Sequence, residues 1–111
     1  MVTVFEQGDI ILLDFDPQVG HEQRGRRPAF VVSNDVFNNF TKAAIVCPIT
    51  STDRNLSLQV RLDYRTRTQG VVMCEQVKAL DLTRRNSRFL EKAPPDVTGE
   101  VVDMVFSFIE M

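Results

Sequence analysis

The chain predicts a mainly β (α+β) fold, a small, strongly curved antiparallel sheet or barrel carrying one C-terminal α-helix. Short runs rich in β-branched and aromatic residues recur between polar turns, which is the pattern of strands. No long helical pattern separates them, so the strand-helix-strand rhythm of a parallel sheet is missing. After Pro94 the periodicity changes to that of a helix.

Six runs read as strands in chain order: 10–15, 29–33, 43–49, 58–62, 70–73 and 77–80. Pro28 pushes Arg27 before it towards an extended backbone. Pro48, near the end of the third run, predicts a sheet edge or a bulge, because proline cannot donate to a strand ladder. The polar stretch 83–88 reads as a helical turn leading into a short strand at 89–91. From Pro94 onward, polar residues at 96, 100, 103, 107 and 110 step by four, three, four and three, and valine, methionine, phenylalanine and isoleucine fill a broad apolar face. Pro94-Pro95 open this helix where a missing N–H costs little, and Asp96 favours the positive end of its dipole. Gly99 weakens it by up to ~1 kcal/mol, which packing must offset.

At 111 residues the chain is expected to form one domain over 1–111 with a single core. A formal net charge of −2 excludes a general polycation that coats nucleic acid by bulk charge, so anion binding must come from a local patch. Arg24, Arg26 and Arg27 supply one early in the chain, whereas Asp96, Glu100, Asp103 and Glu110 gather in the last stretch. Arginine grips phosphate and carboxylate bidentately, which leans the partner towards a phosphodiester. No secretory signal and no run of membrane-spanning length is visible, so a cytoplasmic protein with no membrane association is expected. Cys47 and Cys74 lie in apolar runs without C-x-x-C spacing and are expected as buried, reduced thiols. One histidine and no ligand cluster predict no metal and no cofactor.

The segment Gly20-His21-Glu22-Gln23-Arg24-Gly25-Arg26-Arg27-Pro28 gathers three arginines, a carboxylate and the only histidine between two apolar runs, where folds keep active-site loops. Without a second histidine there is no paired-imidazole route to RNA cleavage within one chain. Arginine, carboxylate and hydroxyl remain. They suffice for phosphate transesterification if a carboxylate takes the proton of a ribose 2′-hydroxyl and an arginine stabilises the charge building on phosphate.

The order Gly8-Asp9-Ile10, Asp14-Phe15-Asp16-Pro17, Gly20-x-Glu22-Gln23-x-Gly25-x-Arg27-Pro28, Ile49-Thr50-Ser51 and Gly70-Val71-Val72-Met73-Cys74-Glu75-Gln76-Val77-Lys78 resembles the MazF/PemK family of toxin endoribonucleases. The likeness runs from residue 8 to about residue 82 and leaves a C-terminal helix where the family has one. It implies an SH3-like barrel with a C-terminal helix, assembled as a homodimer. It implies sequence-specific cutting of single-stranded RNA without a metal, leaving 2′,3′-cyclic phosphate and 5′-hydroxyl ends. It also implies a cognate antitoxin that lays a flexible segment, expected to be acidic, across the same face.

Position by position, the resemblance makes Arg27 and Thr50 catalytic and gives Glu22 a loop carboxylate tied to activity. Arg27 reads as clamp and transition-state stabiliser, because a guanidinium is a poor proton donor. Thr50 would bond a non-bridging phosphate oxygen, and Glu22 is the candidate base. His21, Gln23, Arg26, Ser51, Glu75 and Gln76 complete the expected substrate contacts. Met73 and Glu75 stand where the PemK branch has an arginine and an aspartate proposed as acid and base, so Glu75 and His21 remain rivals to Glu22. Arg84, Arg85 and Arg88 read as a solvated basic face, and Phe37 and Phe40 as core. Two other functions fit the same fold: a gyrase poison, whose relatives carry a tryptophan near the C-terminus that this chain lacks, and a non-cutting module that binds RNA or antitoxin.

Overall fold

A computed structural model describes residues 4–15, 26–52 and 58–110, with only the backbone at residue 84. The described strands are β1 (Asp9–Asp14), β2 (Arg26–Val31), β3 (Ala43–Thr50), β4 (Gln59–Arg61), β5 (Val71–Met73), β6 (Lys78–Asp81) and β7 (Arg88–Lys92). Two α-helices accompany them, α1 (Asp35–Thr41) and α2 (Pro95–Ser107). The pairings are antiparallel, in the order β4-β5-β3-β2-β1-β7, with β6 also on β3.

β3 organises the sheet because it changes partner along its length. Its first half pairs with β6, from Ala43↔Asp81 to Val46↔Lys78, and its end pairs with β5, at Ile49↔Val72 and Thr50↔Val71. Pro48 therefore lies in the central strand and not at an edge or bulge. It falls between the last β6 pair and the first β5 pair, where one neighbour gives way to the next and a missing N–H is tolerated. The one register shift among the described ladders is in β1–β7, between Ile10 and Ile11.

Successive residues of the central strands enter two separate cores, as the period-2 alternation of a pleated strand requires. Ile10, Phe30, Cys47, Ile49 and Val72 pack with Val97, Val101 and Val105 of α2, while Ile11, Leu13, Ala29, Val31, Ala44 and Val46 pack together on the other side. Burial on both faces explains why these strands read as nearly continuous apolar runs. The sheet curves as expected but does not close among the described residues, since β4 and β7 end the order without pairing each other.

Three expectations need correction. β2 starts at Arg26, so Arg26 and Arg27 belong to a strand and not to the preceding loop. α1 was unforeseen, and its Val, Phe, Asn and Thr are indifferent helix formers. Polar ties hold it instead: the Asn34 side chain accepts from the Phe37 N–H at 3.0 Å, and Lys42 closes the end with φ 61°. Asn38, only 1% exposed, donates to the Phe5 carbonyl at 2.8 Å and accepts from the Ser33 hydroxyl. That orientation leaves Phe40 89% exposed and Phe37 half-buried, not core. Finally, α2 buries a stripe of Val97, Val101 and Val105, narrower than its apolar content suggested, with Phe106 63% and Ile109 70% exposed.

The Gly8-Asp9 turn is structural. Buried Asp9 accepts from the Glu6 N–H at 2.8 Å and pairs with Lys92 at 2.7 Å. Cys47 and Cys74 are free and buried, as expected. Contact with the Cys74 thiol, together with burial, pushes the Cys47 thiol far above the usual range, which suits packing and not nucleophilic work. No described helix is long and apolar enough to cross a membrane.

Gly99 is exposed on α2, with no atom within 4 Å of the position a Cβ would take. Gly99→Ala should raise stability by ~0.4–1 kcal/mol by restricting the unfolded chain. Urea unfolding measures it, and a lower midpoint at unchanged slope would contradict the reading.

Candidate active site

Strand register brings Arg27 and Thr50 to one end of the sheet. The β2–β3 ladder runs Val31↔Val46, Phe30↔Cys47, Ala29↔Pro48. Two further steps along each strand reach Arg27 on β2 and Thr50 at the end of β3. By alternation Arg27 shares a face with Ala29 and Val31, and it pairs across β1 with Leu13. It is half-buried, and among the described residues its side chain has no hydrogen bond or ion pair. Half burial on the face of the second core suits a long cationic side chain that packs its stem and keeps its head in water.

Thr50 is held from behind. Its Oγ1 accepts the Thr52 N–H at 3.2 Å, so the hydroxyl proton can be donated outward. Behind its backbone lies Gly70, with φ +119°, where a Cβ would fall 2.0 Å from the Thr50 carbonyl oxygen and 2.9 Å from Ser51 Cα. Only glycine allows this approach. Gly70 is in turn fixed by its carbonyl, which accepts the Leu62 N–H at 2.9 Å, and by ties on the chain before it. Glu91 of β7 accepts the N–H groups of Arg67 and Thr68 at 3.1 and 2.8 Å and the Thr68 hydroxyl at 2.8 Å. Burial works against the Glu91 charge, yet the Thr68 and Arg67 donors outweigh it and hold the carboxyl below its ordinary range. Arg65 bridges Asp63 and Asp96, at 2.8 and 2.9 Å, and pulls the pKa of both acids down.

Further cations collect at the same end. Arg26 pairs across from Asp14 and donates Nη2 to the Asn86 carbonyl at 2.6 Å. Lys78 stands 5.5 Å from the Phe15 ring centroid. Arg85 is half-buried and donates to the carbonyls of Asp14 and Phe15, so it does not belong to a solvated basic face; Arg88 does lie exposed. Ser51 follows Thr50 and is exposed. This end of the sheet can therefore present guanidinium and hydroxyl donors to an anion.

Glu75 and Gln76 are carried by a different segment. Both are exposed on a one-turn 3-10 helix, Cys74–Gln76, between β5 and β6. In the order β5-β3-β2 that turn lies across β3 from Arg27, beside the middle of the strand. His21, Glu22 and Gln23 lie outside the described residues. The ties through Gly70, Glu91 and Arg85 were not anticipated: a glycine, a carboxylate and an arginine carry no local signal of a partner so far along the chain.

Comparison with known proteins agrees with this architecture. Residues 6–108 match the family model described as PemK-like, MazF-like toxin of type II toxin-antitoxin system. The chain is 39% identical to endoribonuclease PemK of Escherichia coli over 87% of this chain and 76% of that protein. It is 28% identical to endoribonuclease EndoA of Bacillus subtilis, over 96% and 98% of the two chains. Among solved structures, MazF of Deinococcus radiodurans superposes with a TM-score of 0.86 at 37% identity, covering 98% of this chain and 99% of that one. A MazE–MazF structure from the same organism gives 0.87 at 34% identity, with the same coverage. Continuous matching over the strands, the Arg27–Pro28 step and the C-terminal helix establishes that the chain belongs to the PemK-like, MazF-like family of type II toxin-antitoxin toxins.

Proposed function

We propose that the chain acts as a single-domain toxin endoribonuclease that cuts single-stranded RNA at short sequences, without a metal or cofactor. The observation that supports this reading is the β2–β3 register: two residues beyond its rung Ala29↔Pro48 stand Arg27, whose side chain has no described partner, on one strand and Thr50, whose hydroxyl oxygen accepts the Thr52 N–H, on the other. In the proposed step a carboxylate removes the 2′-hydroxyl proton. The 2′-oxygen attacks the adjacent phosphorus while the bond to the 5′-oxygen breaks and that oxygen takes up a proton. A 2′,3′-cyclic phosphate and a 5′-hydroxyl result. Arg27 neutralises the charge that grows on the phosphate oxygens, and Thr50 donates to one of them. Glu22 is the base of choice over Glu75. Glu22 belongs to the same motif as Arg27 in the sequence, whereas Glu75 follows β5, on the far side of β3 from β2. His21, Gln23, Arg26, Ser51 and Gln76 would contact the RNA.

The inhibitor of this activity is a cognate antitoxin with a flexible, acidic segment, for which the cationic end of the sheet is electrostatically suited. The toxin works as a cytoplasmic homodimer. The relatives' names support the activity, and the MazE–MazF complexes of Deinococcus radiodurans support an antitoxin partner.

Incubation with a long single-stranded RNA in EDTA, followed by identification of the fragment ends, tests the reaction. Cyclic phosphate and 5′-hydroxyl ends are expected, with a rate about 10²- to 10³-fold lower in Arg27→Ala. Deoxyribose at the cut position should abolish cleavage. Inhibition by EDTA, or full cleavage by Arg27→Ala, would sink the mechanism, and no cleavage by folded wild type would leave a binding module.

Gly70→Ala must drive the Thr50 backbone outward and is expected to cost about 10² in cleavage rate, the scale of a misplaced catalytic group. A folded Gly70→Ala protein that cuts at the wild-type rate would detach Thr50 from the chemistry.

A further inference from the structure

We infer that Arg85, acting with the backbone of Asn86, is a positioning residue that fixes the strand ends bearing Arg27; this rests on the role of Arg27 proposed above. The turn after the one-turn 3-10 helix Leu82–Arg84 is bonded to both strands that frame the 16–25 segment. On the β1 side, Arg85 Nη1 donates to the Asp14 carbonyl at 2.9 Å and to the Phe15 carbonyl, and its own carbonyl accepts the Asp14 N–H at 2.9 Å. On the β2 side, the Asn86 carbonyl accepts Arg26 Nη2 at 2.6 Å. Asp14↔Arg26 is the last rung of the β1–β2 ladder, and Leu13↔Arg27 is the rung before it. One turn, remote in sequence, therefore fastens both sides of the rung next to Arg27.

The clamp is itself anchored. Leu82 packs in the second core, and Asp81 accepts from the N–H and hydroxyl of Thr83 at 2.9 and 2.8 Å. Asn86 holds φ at 54°, a left-handed conformation that asparagine tolerates better than other side-chain-bearing residues. That conformation is part of what directs its carbonyl at Arg26. Strand ends otherwise fray, and a transition-state donor has to be held within about half an ångström of its productive place. A guanidinium suits the task because it is charged at every working pH and makes strong bonds to carbonyls. With Nη1 committed to two backbone carbonyls, Arg85 is tied to the end of the strand.

Single-turnover cleavage of a long single-stranded RNA separates the alternatives, since it gives the maximal rate and the protein concentration for half-saturation. Arg85→Met, which keeps the length but loses the donors, should lower the maximal rate about 10²-fold and leave half-saturation unchanged. Arg88→Ala, which removes an equal charge from exposed β7, should cut at the wild-type rate. A wild-type rate in Arg85→Met, a loss confined to half-saturation, or an equal loss in Arg88→Ala would each overturn the inference. If circular dichroism shows Arg85→Met unfolded, Asn86 decides instead. Asn86→Val disfavours the left-handed backbone and should slow cleavage, and Asn86→Gly should recover it; equal rates in the two would overturn the clamp. Wild type that does not cut, or Arg27→Ala that cuts fully, removes the proposed function and this inference together. Loss in Arg27→Ala without loss in Arg85→Met removes the clamp alone.

Discussion

The change of partner along β3 is the constraint on which the remaining geometry depends. On one side the strand pairs with β6 from Ala43 to Val46 and with β5 from Ile49 to Thr50, and on the other it pairs with β2 from Val46 to Pro48. Two ladders cannot occupy the same side of one strand at one level, so the second must begin where the first stops. Pro48 occupies the interval. Alternate residues of β1, β2 and β3 feed two cores by the pleat, and Thr50 lies at the end of β3.

What collects at that end of the sheet explains how a protein of net charge −2 can be read as a binder of polyanions. Charge acts locally. Salt screens exposed charges within about 8–10 Å, so the acidic residues of α2 count for little beside arginines a strand apart. Arg26, Arg27, Lys78 and Arg85 reach this end from two separate strands and a turn. Their roles differ even so. Arg26 and Arg85 donate to backbone carbonyls, and Lys78 covers an aromatic ring; Arg27 alone of these has no described partner. Bonding of its neighbours to the scaffold keeps a set of like charges from spreading apart, which an anion-binding site needs before the anion arrives.

The sequence was most informative where local chemistry suffices. β-Branched runs, the extended backbone before Pro28 and the four-three spacing of α2 each depend on neighbouring residues, and each structure formed close to its expected place. α1 was illegible because its stability comes from Asn38 reaching the Phe5 carbonyl, a contact that no helical period announces. Pro48 misled for a related reason: its rule concerns a strand flanked along its whole length, and β3 has a gap in its flank. In the candidate site, Arg27 and Thr50 stand out in the sequence through an ordered series of short motifs. Gly70 was visible too, but only as the start of a strand, since its need for a bare α-carbon arises from the Thr50 carbonyl it faces.

The same distinction bears on how such a site could catalyse. Arginine is a poor acid and threonine a poor base, so in the proposed step neither exchanges protons readily; both would act by lying where charge develops. Catalysis of that kind is only as good as the rigidity of the donors, because a donor that must move into place spends its binding energy on the movement. It follows that the residues that matter extend beyond those meeting the RNA. Gly70 lies against the Thr50 backbone, Glu91 holds the chain before Gly70, and the Arg85–Asn86 turn bonds Asp14 and Arg26 beside the Arg27 rung, all from segments distant in sequence. In the proposed reaction a small sheet would rely on such supports, because turns remote in sequence bond to the ends of the strands that carry the donors.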